Sequence, residues 1–217
     1  MSLQGTLPIR RLVGAALCVA GLTVSAGLAG AQPREFVVDA DHSTIGFTVS
    51  VIGGLSEVRG EFAGVDGRVR YDPSSPERST VRITIDAATV DTGNDGRDEH
   101  LRSADFFDVE RFPTITFVSE RIVRDGDAFL VRGPLTIRDV TRTVEFRLRR
   151  RHAEPVVEAF GVPSIAFEGT LEIDRKAFGV AGNARWNRPI LTGGELAMSD
   201  AVGIQLRILA QESGSGR

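Results

Sequence analysis

The chain has 217 residues and a formal net charge of −3, with 26 basic residues against 29 acidic ones. Neutralising a phosphate backbone takes a basic surface, so this balance argues against nucleic acid as a partner. The length suffices for one domain with a sizeable core, and the single cysteine, Cys18, leaves the fold without an internal disulfide.

At the N-terminus, Arg10 and Arg11 precede an uncharged run from Leu12 to Ala29, and Ala29-Gly30-Ala31 has the small-x-small form that a signal peptidase reads. Residues 1–31 are therefore expected to be a cleavable export signal, placing the mature protein in the periplasm or outside the cell. The competing reading is an uncleaved anchor, since roughly 18 apolar residues span a bilayer. The glycines in the run and its small-residue end favour cleavage. The paired arginines hint at twin-arginine export, but the rest of that motif is missing. Cys18 follows Leu17, where a lipid-attachment site has a small residue, which argues against lipidation.

Residues 32–211 read as one domain of strands. Ile45, Phe47, Val49 and Val51 alternate with small or polar neighbours, and so do Val81, Ile83 and Ile85. Between them, Asp72-Pro73-Ser74-Ser75-Pro76 is a turn signal. Asn94 to Ala104 alone looks helical: Asn94 or Asp95 caps it, and Asp98 and Glu99 suit the positive end of the helix dipole. Phe106 and Phe107 then stand among charges, where solubility alone would not place them. Period two resumes with Phe129, Val131, Leu135 and Ile137, and continues through Val144, Phe146 and Leu148. Asp125-Gly126-Asp127 is a turn, and Arg138-Asp139-Val140-Thr141 is short enough for a hairpin. Ile165, Phe167, Leu171 and Ile173, then Val202, Ile204, Leu206 and Ile208, complete the pattern. Residues 212–217 read as a flexible tail.

One apolar face per strand fits two architectures, a two-sheet sandwich or a closed barrel, and periodicity does not choose between them. Runs of nine or more residues reach roughly 30 Å, long for a sandwich. The 12 phenylalanines, mixed with glycines on the inward positions, suit a tapered void.

Motifs along the chain make the choice. Phe36-x-x-Asp39-x-x-His42-Ser43, Val58-x-Gly60-x-Phe62, Arg97-Asp98-x-His100-Leu101-x-Ser103-x-Asp105-Phe106-Phe107-Asp108 and Phe112-Pro113-x-Ile115-x-Phe117 come in order. Gly133-x-Leu135-Thr136-Ile137, Arg175-x-x-Phe178-Gly179, Trp186-Asn187 and Ser199-Asp200-x-Val202 follow. From about Phe36 to Ala210 the chain resembles the YceI-like family of exported proteins. It departs from the family in three places: Phe36 replaces the usual tryptophan, Ser50-Val51-Ile52 stands where a basic residue and a histidine are frequent, and Ala181 to Arg185 reads as a small insertion.

The resemblance implies an elongated, eight-stranded antiparallel barrel, similar to lipocalins, with one short helix packed on it and a long polyisoprenoid-type lipid inside. It also implies a possible homodimer and a membrane donor. Relatives joined to cytochrome b561-type proteins suggest a quinone-like cargo. No cofactor, metal or catalytic residue is implied. On this basis Phe47, Phe62, Phe117, Ile137, Phe146 and Phe167 are expected in the lumen. Leu101, Phe106, Phe107, Phe178 and Trp186 are expected at an end, and His100 and Arg175 at the polar end of the pocket. Arg175 is also expected to pair with Asp105 or Asp108 and lock the helix down.

Asp39 and Asp41 point to one side of a strand and His42 to the other, poor geometry for shared metal ligation and better suited to a turn. Arg149-Arg150-Arg151-His152 reads as ordinary solvated charge, with an anionic lipid surface as the alternative. The chain thus reads as a lipid carrier or store without turnover. An enzyme acting on such a lipid through His42 or His100, and a solid structural barrel, stay open at this point.

Overall fold

The computed structural model describes residues 32–152, 155–157, 161–190, 194 and 196–214. The expected export signal lies outside these residues. The strands are β1 (Arg34–Val38), β2 (Thr44–Val51), β3 (Ser56–Phe62), β4 (Val65–Tyr71), β5 (Thr80–Asp86), β6 (Val90–Asp91), β7 (Thr114–Val118), β8 (Arg121–Asp125), β9 (Ala128–Ile137), β10 (Val140–Arg150), β11 (Val156–Val157), β12 (Pro163–Asp174) and β13 (Met198–Glu212). Among the described residues the one α-helix, α1 (Asp95–Arg102), joins β6 to β7.

Several of these strands are halves of one bent stave. β1 continues into β2, β3 into β4, β5 into β6 and β7 into β8, so that eight antiparallel staves close into a barrel. Closure is made by β12 on β13, paired from Ser164↔Gln211 to Asp174↔Ala201. Two of the bends have visible causes. Between β1 and β2, the Asp39 carboxylate accepts from the N–H groups of Asp41 and His42, at 3.1 and 3.3 Å, and caps a tight turn. Ser43 Oγ then accepts from Leu209 N at 3.0 Å and replaces a ladder bond there. This segment is a corner of the barrel, and the strand alternation expected there does not hold: Ala40–His42 form a 3-10 turn that brings His42 Nδ1 to 2.9 Å from Asp39 Oδ2. Where β7 passes into β8, Gly133 on β9 lies so close that a Cβ would stand 2.0 Å from Val118 O, so only glycine lets the staves touch.

The alternation read from the sequence turns its apolar set inward, and the buried core runs through the barrel from Phe36 to Ala210. The expected tail begins later than its first residue. Glu212 still belongs to β13 and is ion-paired with Arg34, and Ser213 N donates to Glu35 O at 2.9 Å.

One seam is incomplete. β10 pairs with β9 over ten positions but with β12 only from Arg147↔Thr170 to Arg150↔Phe167. Continuing that register by two residues sets Glu145 against Glu172, two exposed carboxylates. Like charges directly opposite disfavour a ladder.

Candidate functional site

The end of the barrel that carries α1 is built by two excursions of the chain. Asn94 Oδ1 accepts from Arg97 N at 2.9 Å and caps α1. Arg102 then pins the helix to the β6 edge, donating through Nε to Ala88 O at 2.7 Å and through Nη2 to Val90 O at 3.0 Å. The chain reverses after Ser103, with Phe107 N donating to Leu101 O at 2.9 Å, and drives the two phenylalanines into the barrel mouth. Phe106 is buried, while Phe107 packs edge-on against Phe62 at 5.5 Å, with Phe47 beyond it at 5.8 Å from Phe62. The opposite end is floored by Tyr71, Phe129 and Phe167, whose ring centroids lie 6.2 to 6.4 Å apart.

Between these two ends runs one cavity of about 200 Å³. Its lining includes Phe47, Phe62, Phe117, Ile137, Phe146 and Phe167, and at the mouth Leu101, Phe106 and Phe107. The same alternation extends to residues not singled out from sequence, among them Tyr71, Phe129, Val202 and Ile204. Among the described residues, Tyr71, Ser79 and Arg175 are the ones on it that carry a polar group. Ligand pockets commonly reach roughly 300–1,000 Å³, so a long chain fits here only by displacing side chains.

Three expected residues stand elsewhere. Phe178 is 2 % exposed in the turn Lys176–Phe178 and packs into the core without reaching the lumen. Trp186 lies one layer above Phe106: a Cβ on Gly182 would meet Phe106 Cζ at 2.9 Å and Trp186 Cδ1 at 3.4 Å, so the glycine is sandwiched between the rings. The segment from Ala181 to Arg185 therefore covers the mouth above Phe106. The Trp186 indole N–H is buried with no acceptor among the described residues. His100 sits outside the cavity, its ring 5.0 Å from that of Phe106 and its Nε2 2.9 Å from Asp105 Oδ2. That bond, with one from Asn183, holds the Asp105 carboxyl below its usual value.

Arg175 reaches the lumen end but has no donor left for a head group. Its Nε donates to Ser199 O at 2.8 Å, Nη1 to Val180 O and Ala181 O, and Nη2 to Asn187 Oδ1 and Asp200 Oδ1, both at 3.1 Å. Burial lowers its pKa, opposed by Asp200 and Asp174. Asp200, not Asp105 or Asp108, is thus its acidic partner, because the side chain turns toward residues 180–200 and away from α1. The helix is locked instead by Arg138, which donates through Nη1 to Phe106 O and Gly179 O, both at 2.8 Å, and lies 3.5 Å from Asp108. Its φ of 57° in the β9–β10 turn was not legible from its residue type.

The basic run near the floor is largely spoken for. Arg149 pairs with Asp127 at 3.2 Å, Arg151 with Glu168 at 2.9 Å, and Arg150 stacks on Tyr71 at 5.0 Å. Among the described residues there is no cluster of three or more His, Cys, Asp or Glu side chains able to hold a metal, and no helix long and apolar enough to cross a membrane.

A closed antiparallel barrel of eight staves around an apolar lumen, mouthed by one helix, defines a lipocalin-like calyx. The YceI-like domain model matches residues 36–210, and the chain belongs to the YceI-like family. Protein YceI of Escherichia coli O6:H1 is 33 % identical over 166 residues, 76 % of this chain and 84 % of that one. The crystal structure of BcnA from Burkholderia cenocepacia superposes with a TM-score of 0.68 at 25 % identity, covering 79 % of this chain and 98 % of that one. A polyisoprenoid binding domain from Saccharophagus degradans shares the fold at a TM-score of 0.59 and 16 % identity, covering 83 % and 99 %.

Proposed function

We propose that the protein is an exported carrier or store that holds one long-chain lipid, of isoprenoid, quinone or fatty-acyl type, in its lumen without turnover. The observation that carries this reading is the single cavity lined from floor to mouth by apolar side chains, with the one arginine on it fully bonded to protein. Such a lining offers burial and nothing to react with. Each methylene removed from water contributes roughly 0.8 kcal/mol, and ligand efficiencies near 0.3 kcal/mol per atom set nanomolar affinity as about the ceiling for a forty-carbon chain. The lining residues named above are the binding residues, and the head group lies at the mouth, where His100, Asp105 and Asn183 form a bonded polar cluster.

Three further features support the reading. The N-terminal run supports export, the family likeness supports a membrane donor and a cytochrome b561-type partner, and the Saccharophagus protein of the same fold is described as a polyisoprenoid binding domain. A homodimer is part of the same reading. Protein purified from its own host and examined by native mass spectrometry is expected to carry one lipid adduct that organic extraction removes. A barrel that emerges empty and ignores every long-chain lipid offered would end this reading.

A further inference from the structure

The β2–β3 hairpin at the barrel mouth carries a tip that folding alone does not explain. Ile52 and Leu55 are 55 % and 79 % exposed. Ile52 is also held at φ 55°, a left-handed conformation that β-branched residues avoid and glycine or asparagine accepts. The tip is nonetheless fixed in place: Ile52 N donates to Ala197 O at 2.8 Å and Gly53 N to Leu196 O at 3.2 Å. Leu196 in turn bridges to the exposed Pro189. These residues form one apolar crest along the rim.

The crest adjoins the lumen. Met198, which lines the cavity, pairs with Val51 beside Ile52, and its N–H donates to Trp186 O at 3.1 Å. The crest is flanked by Arg185 and Arg188, both exposed and neither in an ion pair among the described residues. Arg185 lies over the Trp186 ring at 5.9 Å. The nearest acid on the hairpin, Glu57, is already paired with Arg59 at 3.1 Å. Two of the family departures meet here, Ser50-Val51-Ile52 and the segment from Ala181 to Arg185. Aliphatic residues at a tip, a tryptophan behind them and exposed arginines at their sides match the layering of a bilayer interface: chains, carbonyl zone, phosphates.

We propose that this crest docks the barrel mouth on an anionic phospholipid bilayer, with Ile52 and Leu55 entering the acyl boundary and Arg185 and Arg188 meeting lipid phosphates. It rests on the lipid-carrier reading for its purpose but not for its test. The strained conformation at Ile52 is retained because it holds an apolar side chain at the tip.

Trp186 is the only tryptophan in the chain, so its fluorescence reports this rim and not the N-terminal segment. The full chain is mixed with vesicles of bromine-labelled phosphatidylcholine and phosphatidylglycerol. Trp186 emission is expected to be quenched. Ile52→Asn and Leu55→Ser each shift half-quenching to about tenfold more lipid, the scale of one exposed aliphatic side chain leaving water. Ile52→Asn melts at the same or a higher temperature than the parent, since asparagine relieves the strain while the docking is lost. The pair Arg185→Gln and Arg188→Gln removes the preference for phosphatidylglycerol. No quenching, or quenching unchanged in both tip variants, overturns the proposal. A barrel that emerges empty and takes up no long-chain lipid, yet is still quenched on vesicles, would instead strike the carrier reading and leave the docking intact.

Discussion

Arg175 spends all five of its N–H groups on the segment that arches over the barrel mouth, at 4 % side-chain exposure. Replacing it with Met would leave several carbonyls unmatched and Asp200 with Lys176 as its remaining partner, and denaturant unfolding is expected to show a loss of about 3 kcal/mol. Trp186→Phe works the other way. A buried N–H without an acceptor costs roughly 1–3 kcal/mol, so deleting it should leave stability unchanged or raised, measured by the same method. The carboxylates define the acid limit. Asp105 is held below the ordinary 3.8 by His100 first and Asn183 second, and Glu212 is lowered by its bonds from Arg34. A depressed native pKa gives stability that is present above the unfolded value and lost as pH falls through the native one. The urea midpoint should therefore hold down to about pH 4 and drop below it. His100→Ala should lessen that acid drop, and an unchanged slope would remove Asp105 from the account. The family motif singled out Arg175 but the expected partner, Asp105 or Asp108, was wrong, because its acceptors are Asp200, Asn187 and backbone carbonyls that no sequence displays.

At the scale of elements, α1 and the double phenylalanine act as one stopper. Phe106 is 4 % exposed under the Gly182–Trp186 segment, so Phe106→Ala is expected to cost about 3–5 kcal/mol. Phe107 is only half-buried and faces the lumen, so Phe107→Ala should cost less in thermal melting and speed exchange of a bound chain. The open seam between β10 and β12 gives a prediction of opposite sign. Glu145→Lys sets a cation against Glu172 and is expected to add about 0.2–1 kcal/mol by completing a cross-strand pair. Elements of this kind were largely legible. Asn94 caps a helix from 95 to 102 where 94 to 104 was read, and the period-two runs became strands. The bend at Asp39 carries its own turn residue, but the one at Ser119 was not legible, because it depends on a neighbour across the sheet, Gly133. A break of that origin leaves no local mark in composition.

For the whole molecule, alternation alone left sandwich and barrel equal, since both bury one face of each strand. The family motifs resolved it, and the pairing of β12 with β13 is the physical closure. What the sequence could not convey is how full the lumen is. Most of the inward residues line the cavity, yet the free space is about 200 Å³, because the volume left inside depends on stave tilt and rotamers that no periodicity encodes. A chain entering this barrel must therefore gain enough from burial to move side chains aside, which ties affinity to chain length. The most direct measurement is native mass spectrometry of the emptied protein with a series of polyprenols of increasing length. A hollow apolar barrel predicts one molecule per chain and affinity that climbs with each added unit until the lumen is full, then levels. Affinity that is flat along the series, or confined to the shortest members, would contradict it.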